Sequence, residues 1–241
     1  SDLKLADGSS EMRDAGEKEV TIDKSDIKIY SNLIADHDVT WMYDIETILP
    51  GKAKINQRPV EITAGSITDG TYTGEPYTVS TSEITSATGL VGDATYTVTF
   101  ENNSRTAAGE QAVTVKDAVV TGDKTENYSF TYKPGKIVIA QAGTMAVSAE
   151  NVTATYDGNE YAAEAKASVD GEELADAVVR YWNDETQAYD LAAAPKFSDA
   201  GTYTVKFQAT HDNYATKTGE ATVKINQRPV EITAGSITDG T

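Results

Sequence analysis

"DAGTYTVKFQAT", residues 199–210, decides the fold class. Tyr203, Val205, Phe207 and Ala209 alternate with Thr204, Lys206 and Gln208, which puts apolar side chains on one face and polar ones on the other. A period of two belongs to a strand with one face buried and one wet. The preceding Asp199-Ala200-Gly201 is a turn cluster. Tyr203 stands where a tyrosine corner places its ring, with the hydroxyl directed back to the loop before the strand.

Outward from this stretch the pattern recurs in "TYTVTF" (95–100), "NYSFTY" (127–132) and "EATVKI" (220–225). Turn clusters such as Asp157-Gly158-Asn159 and Val169-Asp170-Gly171 separate the runs at the spacing of a sandwich or barrel. The 13 Tyr and 18 Gly suit sheets and tight turns. The expected class is all-β, built from tandem small β-sandwiches of Ig-like type. A β-grasp remains open for the middle of the chain, where Thr81–Thr88 has room for a brief helix. One helical turn also fits residues 186–194.

The chain repeats itself. "KINQRPVEITAGSITDGT" occupies 54–71 and returns unchanged at 224–241. A finer period underlies it. "LPGKAKINQ" (49–57) answers "KPGKIVIAQ" (133–141), "DAGEKEVTI" (14–22) answers "AAGEQAVTV" (107–115), and "TYTGEPY" (71–77) answers "TYDGNEY" (155–161). Residues 1–57 therefore read as the carboxy-terminal portion of a repeat, 58–141 and 142–227 as whole repeats, and 228–241 as the first strand of another. Such self-similarity marks an array of one type of module.

Composition excludes several functions. The 241 residues carry Asp+Glu 38 against Lys+Arg 20, a net charge of −18 spread along the chain. That sign of charge disfavours nucleic acid and anionic membranes. No apolar run is long enough to span a bilayer, and the amino-terminal stretch has no signal-peptide pattern. With no Cys there is neither disulfide nor thiolate chemistry. No nucleophile elbow or phosphate loop occurs, so no catalytic or cofactor-binding residue is assigned and the chain is not expected to be an enzyme. His37 and His211, the two histidines, each lie beside Asp and are expected in solvated loops. Carboxylates at 23–26, 35–38 and 122–127 are the places where Ca²⁺ would bind, yet none has the spacing of a calcium loop.

Tyr156-Asp157-Gly158, Tyr72-Thr73-Gly74, the run Gly-Leu-Val-Gly-Asp at 89–93, Asn127-Tyr128 and Pro134-Gly135-Lys136 give the chain its family likeness. It resembles tandem repeats of bacterial surface adhesins, of the MBG/YDG type, and 142–227 resembles a bacterial Ig-like repeat. Thr73 departs from that pattern, and 142–227 has no equivalent of the 89–93 run. The resemblance implies an extracellular location, on the cell surface or secreted, and a rod-forming, non-catalytic role.

Two aromatic sites are candidates for ligand contact. Tyr181 and Trp182 are adjacent, so in a strand one of them faces outward, where an indole stacks on sugar rings. Trp41 is expected in the core. Tyr156, Gly158, Asp199, Gly201 and Tyr203 are expected as structural motif residues. The function expected is a stalk that projects a distal head, its partners the neighbouring repeats. The alternatives are a module binding host glycan or mucin, and a fibre subunit joined head to tail by strand addition.

Overall fold

The computed structural model describes residues 4–5, 9, 11–86 and 88–235. The first part carries β1 (Lys4–Leu5), β2 (Gly16–Thr21) and β3 (Gly51–Ile55). The repeat at 58–141 carries β4 (Arg58–Ala64), β5 (Ile67–Thr71), β6 (Tyr77–Thr78), β7 (Ser82–Ile84), β8 (Thr95–Phe100) and β9 (Ser104–Arg105). It continues with β10 (Gly109–Val113), β11 (Val115–Thr121), β12 (Tyr128–Lys133) and β13 (Gly135–Ala140). The repeat at 142–227 carries β14 (Ala146–Ala149), β15 (Val152–Thr155), β16 (Ala165–Val169), β17 (Glu172–Glu173), β18 (Val178–Asn183), β19 (Ala188–Leu191), β20 (Gly201–His211) and β21 (Tyr214–Asn226). Only three 3-10 turns, at Lys24–Asp26, Thr40–Met42 and Thr125–Asn127, interrupt the strands among the described residues. The chain is all-β. No described helix is long and apolar enough to cross a membrane.

Two compact units divide the chain. The first holds Ser1–Ile67, Thr78–Ser104 and Gln111–Ile137; the second holds Thr68–Tyr77, Arg105–Glu110 and Val138–Thr241. Strands β5, β10 and β13 form one sheet, ordered β10-β13-β5.

The second unit contains a sandwich. One sheet runs β15-β21-β20-β18-β19 and the other β14-β16-β17. Val205, Phe207, Ala221, Val223 and Ile225 of the first sheet pack with Val147, Ala149 and Ala165 of the second. This is the alternation read from 202–210, with Val205, Phe207 and Ala209 buried. Strands β20 and β21 form one long antiparallel hairpin closed by the two-residue turn Asp212-Asn213, and β15 lies parallel to β21.

In the first unit no described ladder is as long as the β20–β21 hairpin. β4 lies between β12, parallel to it, and β7, antiparallel. β8 pairs with β11, and β1-β2-β3 form a separate sheet. Pro134, lacking an N–H, stands between β12 and β13 and breaks what is a single strand in β21. Val60, Ile62, Ala64, Ala118, Val120 and Tyr128 are buried there. Three expectations fail. Residues 82–84 of the segment offered as a β-grasp helix are strand β7, because Ile84 pairs opposite Ile62 and continues the apolar face. The helical turn over 186–194 is a hairpin turn followed by β19. Trp41 is 81% exposed within a segment where Leu33, Ile34, Met42 and Leu49 are exposed too, since Ile22–Pro50 contributes no strand and buries no residue. Of the stretch expected as a further first strand, 228–235 is in no strand and 236–241 lie outside the described residues.

Candidate functional site

The most elaborate polar arrangements are a pair built from the same repeat positions. In the first unit the β2–β3 ladder ends at Gly16 opposite Ile55. The next amide outward, Ala15 N–H, donates to Asn127 Oδ1 at 2.7 Å. Gln57 Nε2 donates to Glu126 O at 2.9 Å, and the following residue Arg58 pairs in parallel with Tyr128. A carboxamide suits this position because it accepts through oxygen and donates through nitrogen. Asn127 Nδ2 donates to Asp14 Oδ1 (3.2 Å) and Asp123 Oδ1 (3.0 Å), while Tyr128 OH donates to Asp123 Oδ2 at 2.6 Å. Lys124 makes an ion pair with Asp14.

The electrostatics follow from these bonds. Hydrogen bonds from Lys124 and then Asn127 hold the Asp14 carboxyl below the ordinary carboxylate range. The Tyr128 hydroxyl does the same to Asp123. Burial, and then the Asp123 acceptor, push the Tyr128 phenol up. Lys124 is raised by Asp14.

The second unit repeats the design. Ala108 N–H, just outside Gly109, donates to Asn213 Oδ1 at 2.9 Å. Gln141 Nε2 donates to Asp212 O at 3.0 Å, and the following Ala142 pairs in parallel with Tyr214. Asn213 O accepts from Ala142 N–H and Ala142 O from Ala215 N–H. His211 Nδ1 accepts from Asn213 N–H at 3.0 Å, so its other nitrogen carries the proton and donates to Asp176 at 3.1 Å. His211 is therefore not a solvated loop residue. Its side chain is only 11% exposed and its ring lies against Tyr214, which meets Tyr72 edge to face. Each arrangement joins one repeat to the next, through an Ala-Gly and an Ile-x-Gln on one side and an acidic residue-Asn-Tyr tip on the other.

The residues singled out from sequence fall in four places. Tyr181 is buried in the sandwich core and its oxygen accepts Ala165 N–H. Trp182 lies on the other face, where Nε1 donates to Asp184, Tyr189 meets it edge to face at 5.1 Å, and Lys206 Nζ stands 6.0 Å from the ring. Tyr203 OH donates to Asp199 O at 3.1 Å across Gly201, where a Cβ would strike the Tyr203 hydroxyl. Tyr156 is exposed beside the Asp157-Gly158-Asn159 turn. Gly158 has φ +85°, and Asp157 accepts from Asn159 and from Tyr161 OH.

Those carboxylates considered for Ca²⁺ serve local turns. Asp23 accepts Ser25 N–H, Asp38 accepts Thr40 N–H and Oγ1, and Asp123 accepts Tyr128 OH. Among the described residues no group of three or more His, Asp or Glu side chains has metal-binding geometry. The paired tips escaped the sequence reading because their partners are 69 to 113 residues apart in the chain. The available signal was the recurrence of Ala-Gly, Ile-x-Gln and Asn-Tyr at matched offsets.

No family model and no curated protein sequence matches the chain. Among solved structures, immunoglobulin domains 1–5 of Sidekick-1 overlap 74% of this chain and 44% of their own length, with 11% identity and a TM-score of 0.27. The fibronectin(III)-like modules of Clostridium thermocellum CbhA overlap 75% and 96%, with 12% identity and a TM-score of 0.26. Drosophila N-cadherin EC1-4 overlaps 87% and 57%, with 14% identity and a TM-score of 0.23. Likenesses with TM-scores this low add nothing to the fold assignment, which rests on the strand ladders.

Proposed function

We propose that this chain is a non-catalytic structural segment of a tandem array, a spacer of the kind that carries a distal domain away from a bacterial cell surface. The observation that supports it is the pair of matched junctions, Ala15–Asn127 with Gln57–Glu126, and Ala108–Asn213 with Gln141–Asp212. Two repeats of unlike sequence spend the same side chains on holding their neighbours. In arrays of this kind stability is a sum of each repeat and its nearest interfaces.

A second reading has its own support. The Trp182 indole, bordered by Tyr189 and Lys206, is a platform on which a sugar ring of a host glycan or mucin would stack. The two readings separate on an array of mucin glycans, plant polysaccharides and matrix proteins probed with the whole chain and with Trp182→Ala. The spacer predicts no saturable binding by either protein. Saturable binding lost in Trp182→Ala overturns the spacer and makes Trp182 the ligand contact.

A further inference from the structure

Each junction has a socket and a tip, and the described residues hold three sockets but two tips. The third socket is Ala200 with Gln227. Its ladder ends at Gly201 opposite Ile225, the register in which Gly16 meets Ile55. Ala200 and Gln227 are exposed, and neither the Ala200 N–H nor the Gln227 carboxamide has a hydrogen-bond partner among the described residues.

The segment that follows is unpaired as well. Arg228–Ala234 repeats Arg58–Ala64 letter for letter. In β4 that sequence lies between β12 and β7 with Val60 and Ile62 buried, whereas Val230 is 79% and Ile232 90% exposed. One element supplies both missing contacts at the first junction. Glu126-Asn127 receives Gln57 and Ala15, and Tyr128, the next residue, opens the strand that pairs with β4.

We propose that Ala200, Gln227 and Arg228–Ala234 form a docking site for a further repeat of the 58–141 kind. The incoming Asn takes Ala200 N–H, the carbonyl before it takes Gln227, and the strand that follows runs parallel to Arg228–Ala234 with its Tyr opposite Arg228. The occupant is specified by the verbatim return of 54–71 at 224–241, which calls for the same complement. This deepens the array reading and rests on it.

The test continues the whole chain after Thr241 with a second copy of its own residues 72–141. Amide exchange at Ala200, followed by NMR, is expected to slow at least about tenfold on addition of the copy. It is expected to return to the parent rate when the copy's counterpart of Asn127 is replaced by Ala. Gln227→Ala is expected to leave the parent chain's unfolding midpoint unchanged and to speed Ala200 exchange in the extended chain. A folded copy with Ala200 still exchanging at the parent rate overturns the docking site and leaves the array reading standing. A copy that stays unfolded overturns both.

Discussion

Asn127 and Asn213 show how much one carboxamide can join. Asn213→Ala strands the Ala108 N–H, a loss of about 1 kcal/mol in the urea-unfolding free energy, with faster exchange at the Ala108 amide as its local signature. Asn127→Ala is expected to cost more, because Asn127 also donates to Asp14 and Asp123. Replacement by Asp separates the two further. At 213 the accepting oxygen is retained, whereas at 127 a third carboxylate is set between Asp14 and Asp123. Asn127→Asp is therefore the more destabilising in neutral buffer. Acid acts on the same cluster. Asp14 and Asp123 have native pKa values below their unfolded ones, so the stability they contribute is present above about pH 4 and is lost as pH falls through the lowered native values. Asp14→Asn is expected to flatten that acid limb, read from urea midpoints below pH 4.

At the scale of the element, the same seven residues exist in two states. Ile62→Ala removes a fully buried side chain and is expected to cost about 2–5 kcal/mol. Ile232→Ala, in the same sequence, is expected to change stability by less than about 0.5 kcal/mol. Parallel denaturation curves of the two variants check both. Gly135 is a different constraint, since a Cβ there would overlap the Ala64 and Gly65 carbonyls that approach β13. Gly135→Ala is expected to lower stability by about 1–3 kcal/mol, seen as a reduced midpoint. Alternation made β8, β12, β20 and β21 legible in advance, because period two needs only local sequence. Alternation is silent on partners, so nothing local told that β12 would lie parallel to β4. Trp41 failed for a related reason: aromatic content argues for burial only where strands exist to bury against. The Tyr203 bond to Asp199 was legible, being only four residues long. The joining bonds of Asn127 and Asn213 were not, because sequence shows their residues and not the fold that brings them together.

For the whole molecule, the parallel pairing of a strand near the start of each repeat with one near its end has a mechanical consequence. In the 142–227 repeat, β15 near its start runs parallel to β21 at its end, from Val152 opposite Val223 to Thr155 opposite Asn226. The repeat at 58–141 sets β4 parallel to β12 in the same way. Tension that draws the two ends of a repeat apart pulls parallel neighbours in opposite directions along their length. Their hydrogen bonds are then loaded together, as in a lap joint, instead of opening one after another like a zip. A chain of such repeats would hold its length under tugging and then give way one module at a time, absorbing a sudden pull in steps.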